Sequence, residues 1–116
     1  MELADRHCIP CRGGVPPLPP DRTAALLEDL GGGWALNAAG HLERTYTLAN
    51  FADALGFANA VGAIAEAEDH HPDLHVRWGA CGVEIWTHKI GGLTESDFVL
   101  AAKIARLVGA SLSSRS

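Results

Sequence analysis

Glu66-Ala67-Glu68-Asp69-His70-His71-Pro72-Asp73-Leu74-His75-Val76-Arg77-Trp78 changes its hydrophobic period halfway along. Upstream, Phe51, Leu55, Ala58, Val61 and Ala65 recur at helical spacing, with Ala54, Phe57 and Ile64 widening the stripe. Downstream, Leu74, Val76 and Trp78 alternate with His75 and Arg77, which is the period of a strand. Proline disfavours helical geometry in the residue before it, so Pro72 ends the helix near Asp69. That helix opens at Asn50, an N-cap, with Asp53 placed to reach back. Two adjacent histidines therefore stand where a helix gives way to a strand.

The same reading extends outward. Val83, Ile85 and Thr87 alternate with Glu84, Trp86 and His88. Gly79 to Gly82 reads as the turn between two strands, with Cys81 a spare thiol in it, and Gly91-Gly92 ends the second. Thr94 caps a third helix whose apolar face is Phe98, Leu100, Ala101, Ile104, Leu107 and Val108. Toward the N-terminus, Asp21 to Leu30 reads as a helix with Leu26, Leu27 and Leu30 on one face and Gly31 as its stop. Trp34 to Leu36 and Leu42 to Leu48 form a hairpin through residues 37–41. The order α-β-β-α-β-β-α, with short connections, predicts an α+β two-layer sandwich of three helices on a four-stranded antiparallel sheet.

A chain of 116 residues fits one domain with a modest core, which makes self-association reasonable. Three regions are expected: a Cys/Gly/Pro-rich arm over residues 1–20, the folded domain over 21–110, and a frayed tail over 111–116. The arm carries Cys8-Ile9-Pro10-Cys11, then Gly13, Gly14 and four prolines. Apolar content of 47% and charged content of 20% are those of a globular chain. A net charge of -5 without a basic run argues against a nucleic-acid surface. No apolar run reaches the ~20 residues of a membrane span. The acidic, polar stretch over residues 1–6 does not read as a secretory signal, and an odd count of three cysteines is not expected to close a disulfide framework. A cytoplasmic location is the expectation.

His70, His71 and His88, with Glu66, Asp69 and Asp97 nearby in sequence, point to proton transfer or a metal. Adjacent histidines diverge and chelate poorly, and no H-E-x-x-H spacing occurs, so no metal is expected at the main site. A single C-x-x-C supplies two of the four ligands that zinc takes, and the arm is read as structural. Glu66 lies four residues before His70, on a shared helix face. Carboxylates and a helix C-terminus both favour the imidazolium, the form an acid needs. Asp97 fits a capping-box carboxylate better than a catalyst. The three tryptophans fit core or interface roles. His75 reads as an exposed sheet residue, and His7 and His41 as incidental.

Glu66, His70-His71-Pro72, Trp78, His88 and Asp97, at their observed spacings, resemble the signature of the pterin-4a-carbinolamine dehydratases. Gly33-Trp34, Asn50-Phe51, Trp86-Thr87-His88 and Gly91-Gly92-Leu93-Thr94 are similar to that family as well, over about residues 21 to 108. The resemblance implies a hydro-lyase without cofactor that converts a 4a-hydroxytetrahydropterin to a quinonoid dihydropterin and so recycles tetrahydropterin for an aromatic amino-acid hydroxylase such as phenylalanine hydroxylase. It implies catalysis by His70, His71 and His88, and pterin binding or tuning by Glu66, Asp69, Trp86, Thr87, Lys89 and Asp97. It also implies the α+β sandwich and a homo-oligomer, dimer or tetramer. Two alternatives stay open: service in another pterin pathway such as that of molybdopterin, and a non-catalytic dimerisation or binding module.

Overall fold

The computed structural model describes residues 3–8 and 16–111, with the backbone alone for 108–111. A short 3-10 turn, Leu3–Asp5, precedes α1 (Pro20–Leu30), β1 (Ala35–Leu36), β2 (Leu42–Thr47), α2 (Phe51–Glu68), β3 (Asp73–Arg77), β4 (Ala80–Ile85) and α3 (Glu95–Ser111). The sheet is antiparallel throughout, in the order β1-β2-β4-β3. The chain thus adopts the expected α+β sandwich.

Local chemistry sets the boundaries. Pro20 opens α1 at a position where its missing N–H costs no helical bond. Gly31, at φ 57°, stops that helix and donates its N–H to the Leu27 carbonyl. The Asn50 side chain accepts the Asp53 N–H at 2.8 Å, a cap that stabilises α2 by about 1 kcal/mol. At its other end, α2 is closed by Asp69 in the left-handed region, φ 52° and ψ 43°. There the His70 N–H turns back to the Ala65 carbonyl at 3.1 Å.

The packed face of the sheet carries Leu42, Tyr46, Cys81, Val83 and Ile85, and against it lie Leu26, Ala54, Phe57, Val61, Phe98, Leu100 and Ile104 from the helices. The other face presents Glu43, Thr45, Thr47, Asp73, His75 and Arg77 to water. Such alternation is what an antiparallel sheet covered on one side requires.

Three expectations need correction. The turn between β3 and β4 is only Trp78 and Gly79, and Cys81 and Gly82 lie inside β4. Cys81 is accordingly a buried core residue rather than a thiol in a turn. Gly82 stands between two neighbouring side chains: a Cβ there would meet His75 Cβ at 3.5 Å and Thr45 Oγ1 at 3.7 Å. In α2, the core-facing residues are Ala54, Phe57, Ala58, Val61 and Ala65, whereas Phe51 and Leu55 are exposed.

Candidate active site

Two elements that are distant in sequence meet at the end of α2. The left-handed Asp69 swings the chain out of the helix before His70, so His70 and Glu66 do not share a helix face. Glu66 Oε2 bonds His71 Nε2 instead, in an exposed pair. His70 is directed inward, and its Nε2 lies 2.6 Å from Asp97 Oδ1 on the first turn of α3.

Asp97 is fully buried. Its Oδ2 accepts the Thr94 N–H at 2.8 Å, closing the N-terminus of α3, and the Thr87 hydroxyl at 2.9 Å. Thr87 Oγ1 also lies 3.0 Å from Thr94 Oγ1. A carboxylate has no proton to offer these donors and acts as acceptor at each contact. The His70 Nε2 contact is then an N–H donated to Asp97, an assignment read from the network. The remaining ring nitrogen, Nδ1, is the one that Asp97 does not engage. Asp97 therefore serves as helix cap and as imidazole partner at once.

Beside this pair is an open pocket of about 270 Å³ lined by Asp69, His70, His71, Trp86, Thr87, His88 and Lys89. Seven of the nine residues expected at a site thus surround one cavity; Glu66 and Asp97 stand behind His71 and His70. Past β4, the 87–92 loop is held by the Thr87 N–H to the Gly92 carbonyl at 2.9 Å and the Gly91 N–H to the Thr87 carbonyl at 3.0 Å. Gly91, at φ 65°, permits this tight return.

Sequence reasoning passed over His41. Its ring stacks on Trp86 with centroids 4.0 Å apart and planes 4° from parallel. Its Nδ1 lies 2.8 Å from Glu84 Oε2, which also accepts from Asn37 Nδ2 at 2.7 Å. The His41 and Asn37 contacts hold the Glu84 carboxyl below its ordinary range. Trp86 also approaches His88, at 4.2 Å between centroids. A pocket wall is thereby braced from the β1–β2 hairpin, a relation that no sequence spacing carries.

His7 is likewise engaged, its Nδ1 lying 3.1 Å from Glu68 Oε2. Cys8 donates its thiol to the Ser96 carbonyl at 3.4 Å. Burial, then the Glu68 charge, pushes the Cys8 thiol up to about 12, which disfavours the thiolate that a metal or a redox partner needs. Cys11 lies outside the described residues, as do residues 112–116 of the expected tail. Among the described residues, no group of three or more His, Cys, Asp and Glu is placed to hold a metal ion.

A family model described as pterin 4 alpha carbinolamine dehydratase matches residues 16–107. A protein of Rickettsia canadensis, provisionally named pterin-4-alpha-carbinolamine dehydratase, is 57% identical over 102 residues, covering 88% of this chain and 94% of the relative. Among solved structures, the transcriptional coactivator/pterin dehydratase from Brucella melitensis superposes with a TM-score of 0.72 at 27% identity, over 78% of this chain and 97% of that one. A pterin dehydratase-like protein described as a RuBisCO assembly factor in the alpha-carboxysome shares the fold, with a TM-score of 0.57 at 17% identity, over 69% of this chain and 94% of that one. With the match spanning most of the chain and its relatives, the chain belongs to the pterin 4 alpha carbinolamine dehydratase family.

Proposed function

We propose that this member of a dehydratase family removes water from a 4a-hydroxytetrahydropterin by histidine acid–base catalysis. The observation that carries the reading is the His70–Asp97 pair set in the wall of a pocket that also holds His71 and His88. A fold alone does not carry an activity; the site does.

The reaction breaks the bond from C4a to its hydroxyl and the N5–H bond, and forms the C4a–N5 double bond. One imidazolium gives a proton to the departing hydroxyl, which leaves as water. One neutral imidazole takes the N5 proton. No electrons enter or leave, so the cycle closes with protons alone. Asp97 supplies the countercharge for an imidazolium at His70 and holds its ring, as the carboxylate does in a Ser-His-Asp triad. Each general acid or base contributes about 10²–10⁴-fold. Trp86, Thr87 and Lys89 bound the space where the pterin ring would sit, and Glu66 and Asp69 flank the histidine pair.

The product, a quinonoid dihydropterin, suits recycling of tetrahydropterin for an aromatic amino-acid hydroxylase. An odd count of three cysteines, which closes no disulfide framework, accords with a cytoplasmic setting. No helix among the described residues is long and apolar enough to cross a membrane. Self-association is supported by the edge strand β3, by Trp78, which is 73% exposed, and by Phe51 and Leu55 on α2.

The test is to generate the carbinolamine in situ with phenylalanine hydroxylase and follow its decay by ultraviolet absorbance. Faster decay with the folded protein than in buffer is the expected result. Equal rates would overturn the reading.

A further inference from the structure

Glu68, the last residue of α2, takes no part in the pocket wall, yet its nearly buried carboxylate is heavily engaged. Oε1 accepts the Cys8 N–H at 2.7 Å, and Oε2 lies 3.1 Å from His7 Nδ1 and 3.8 Å from Lys103 Nζ. Lys103, on α3, donates in turn to the Ala4 carbonyl at 2.9 Å. The Cys8 thiol donates to the carbonyl of Ser96, the residue before Asp97. Arg6 pairs with Glu95 at 3.1 Å, and Arg106 with Asp5 at 3.0 Å. The segment 3–8 therefore bridges the end of α2 and the start of α3, touching the residue two before His70 and the residue one before Asp97.

We infer that Glu68 is a positioning residue for the His70–Asp97 pair, with the N-terminal segment 3–8 as the other half of the clamp. Helix ends fray, and α2 ends in a left-handed aspartate one residue beyond Glu68. Donors from the arm and from α3 converge on this carboxylate and hold the last turn of α2 against α3. The bond from His70 to Asp97 crosses the same junction on the pocket side. Misplacing a catalytic group by about 1 Å costs up to about 10²-fold in rate. Ties that lie outside the pocket thus set the distance inside it.

The inference uses the proposed dehydration only for its kinetic readout; a second readout needs no activity. Glu68→Ala and Glu68→Gln are compared with wild type by steady-state kinetics and by NMR titration of the His70 ring. In Glu68→Ala, kcat is expected to fall about 10-fold with KM within about 2-fold, and the His70 titration midpoint to move. Glu68→Gln keeps an acceptor for the Cys8 N–H and is expected to recover most of kcat. Lys103→Ala, which loosens the same clamp from α3, carries the test should Glu68→Ala not fold, with a smaller change in the same direction. An unmoved His70 titration and unchanged kcat in a folded clamp variant would overturn the inference. Absent activity in wild type, with a His70 titration that still moves in the variants, would overturn the dehydratase reading and leave the clamp standing.

Discussion

His70 Nε2 lies 2.6 Å from Asp97 Oδ1, across the junction of α2 and α3, and the other oxygen of that carboxylate caps α3 through the Thr94 N–H. One side chain therefore joins the stability of a helix to the orientation of a pocket histidine. Neither role can be removed without touching the other, except by a substitution that keeps the shape and withdraws the charge.

Asp97→Asn is that substitution. It keeps an oxygen for one set of donors and loses the charge beside His70. We expect kcat to fall about 10²-fold or more, with a small loss of stability. Asp97→Ala leaves the Thr94 N–H without its acceptor and the Thr87 hydroxyl with Thr94 Oγ1 alone. A stranded buried donor costs about 1–3 kcal/mol, so thermal melting should place this variant well below Asp97→Asn.

Thr87→Val tests the middle of the network. The swap keeps the volume and deletes the hydroxyl that donates to Asp97 and meets Thr94. Chemical denaturation should show a loss of about 1–2 kcal/mol. A smaller fall in kcat than that of Asp97→Asn is expected, because the charge beside His70 remains.

His41→Ala withdraws the ring stacked on Trp86. The expected result is a rise of several-fold in KM with kcat little changed, since the wall is loosened and the histidines stay. A fall in kcat at constant KM would instead place His41 in the chemistry.

Glu84 gives a pH prediction. Its carboxyl is held below the ordinary 4.5 by the His41 hydrogen bond first and by Asn37 next. A depressed carboxylate stabilises the fold fully above its unfolded value, and that contribution is lost as pH falls through the folded one. The difference in melting temperature between wild type and Glu84→Gln should therefore be largest above about pH 5 and shrink toward pH 3.

Cys8 behaves oppositely. Its thiol is raised from 9.0 to about 12, mainly by burial, so its contribution is whole below pH 9 and is lost as pH rises toward 12. Cys8→Ser should flatten the alkaline decline of stability over that window. At pH 8, alkylation mapped by mass spectrometry should find Cys8 and Cys81 slow in the native protein and fast in urea.

The sequence carried the element order because period and punctuation agree in most places: Gly31, Asn50, Pro72 and Thr94 each mark a boundary by a local steric or hydrogen-bonding rule. It misled at β4, where Gly79 and Gly82 look alike in sequence. Gly79, at φ 74°, makes the turn, whereas Gly82 yields room to His75 and Thr45. Periodicity also could not orient α2, which is apolar on more than one side. At the site, residue types and spacing pointed to His70, His71 and His88, and the family resemblance to the 86–89 segment. The partners were less visible. A single left-handed residue, Asp69, moved Glu66 from His70 to His71. Asp97 looked like a cap because capping is local, and its bond to His70 is not. His41 reaches Trp86 only through strand pairing, 45 residues away in sequence.

The central claim is that His70 and Asp97 act as one unit in dehydration. It is tested most directly by the decay rate of in situ 4a-hydroxytetrahydropterin with wild type, His70→Ala, Asp97→Asn and the double variant. The account predicts that wild type accelerates decay, that each single variant loses most of the acceleration, and that the double variant is no slower than His70→Ala. Independent, multiplying losses, or a His70→Ala protein as fast as wild type, would contradict it.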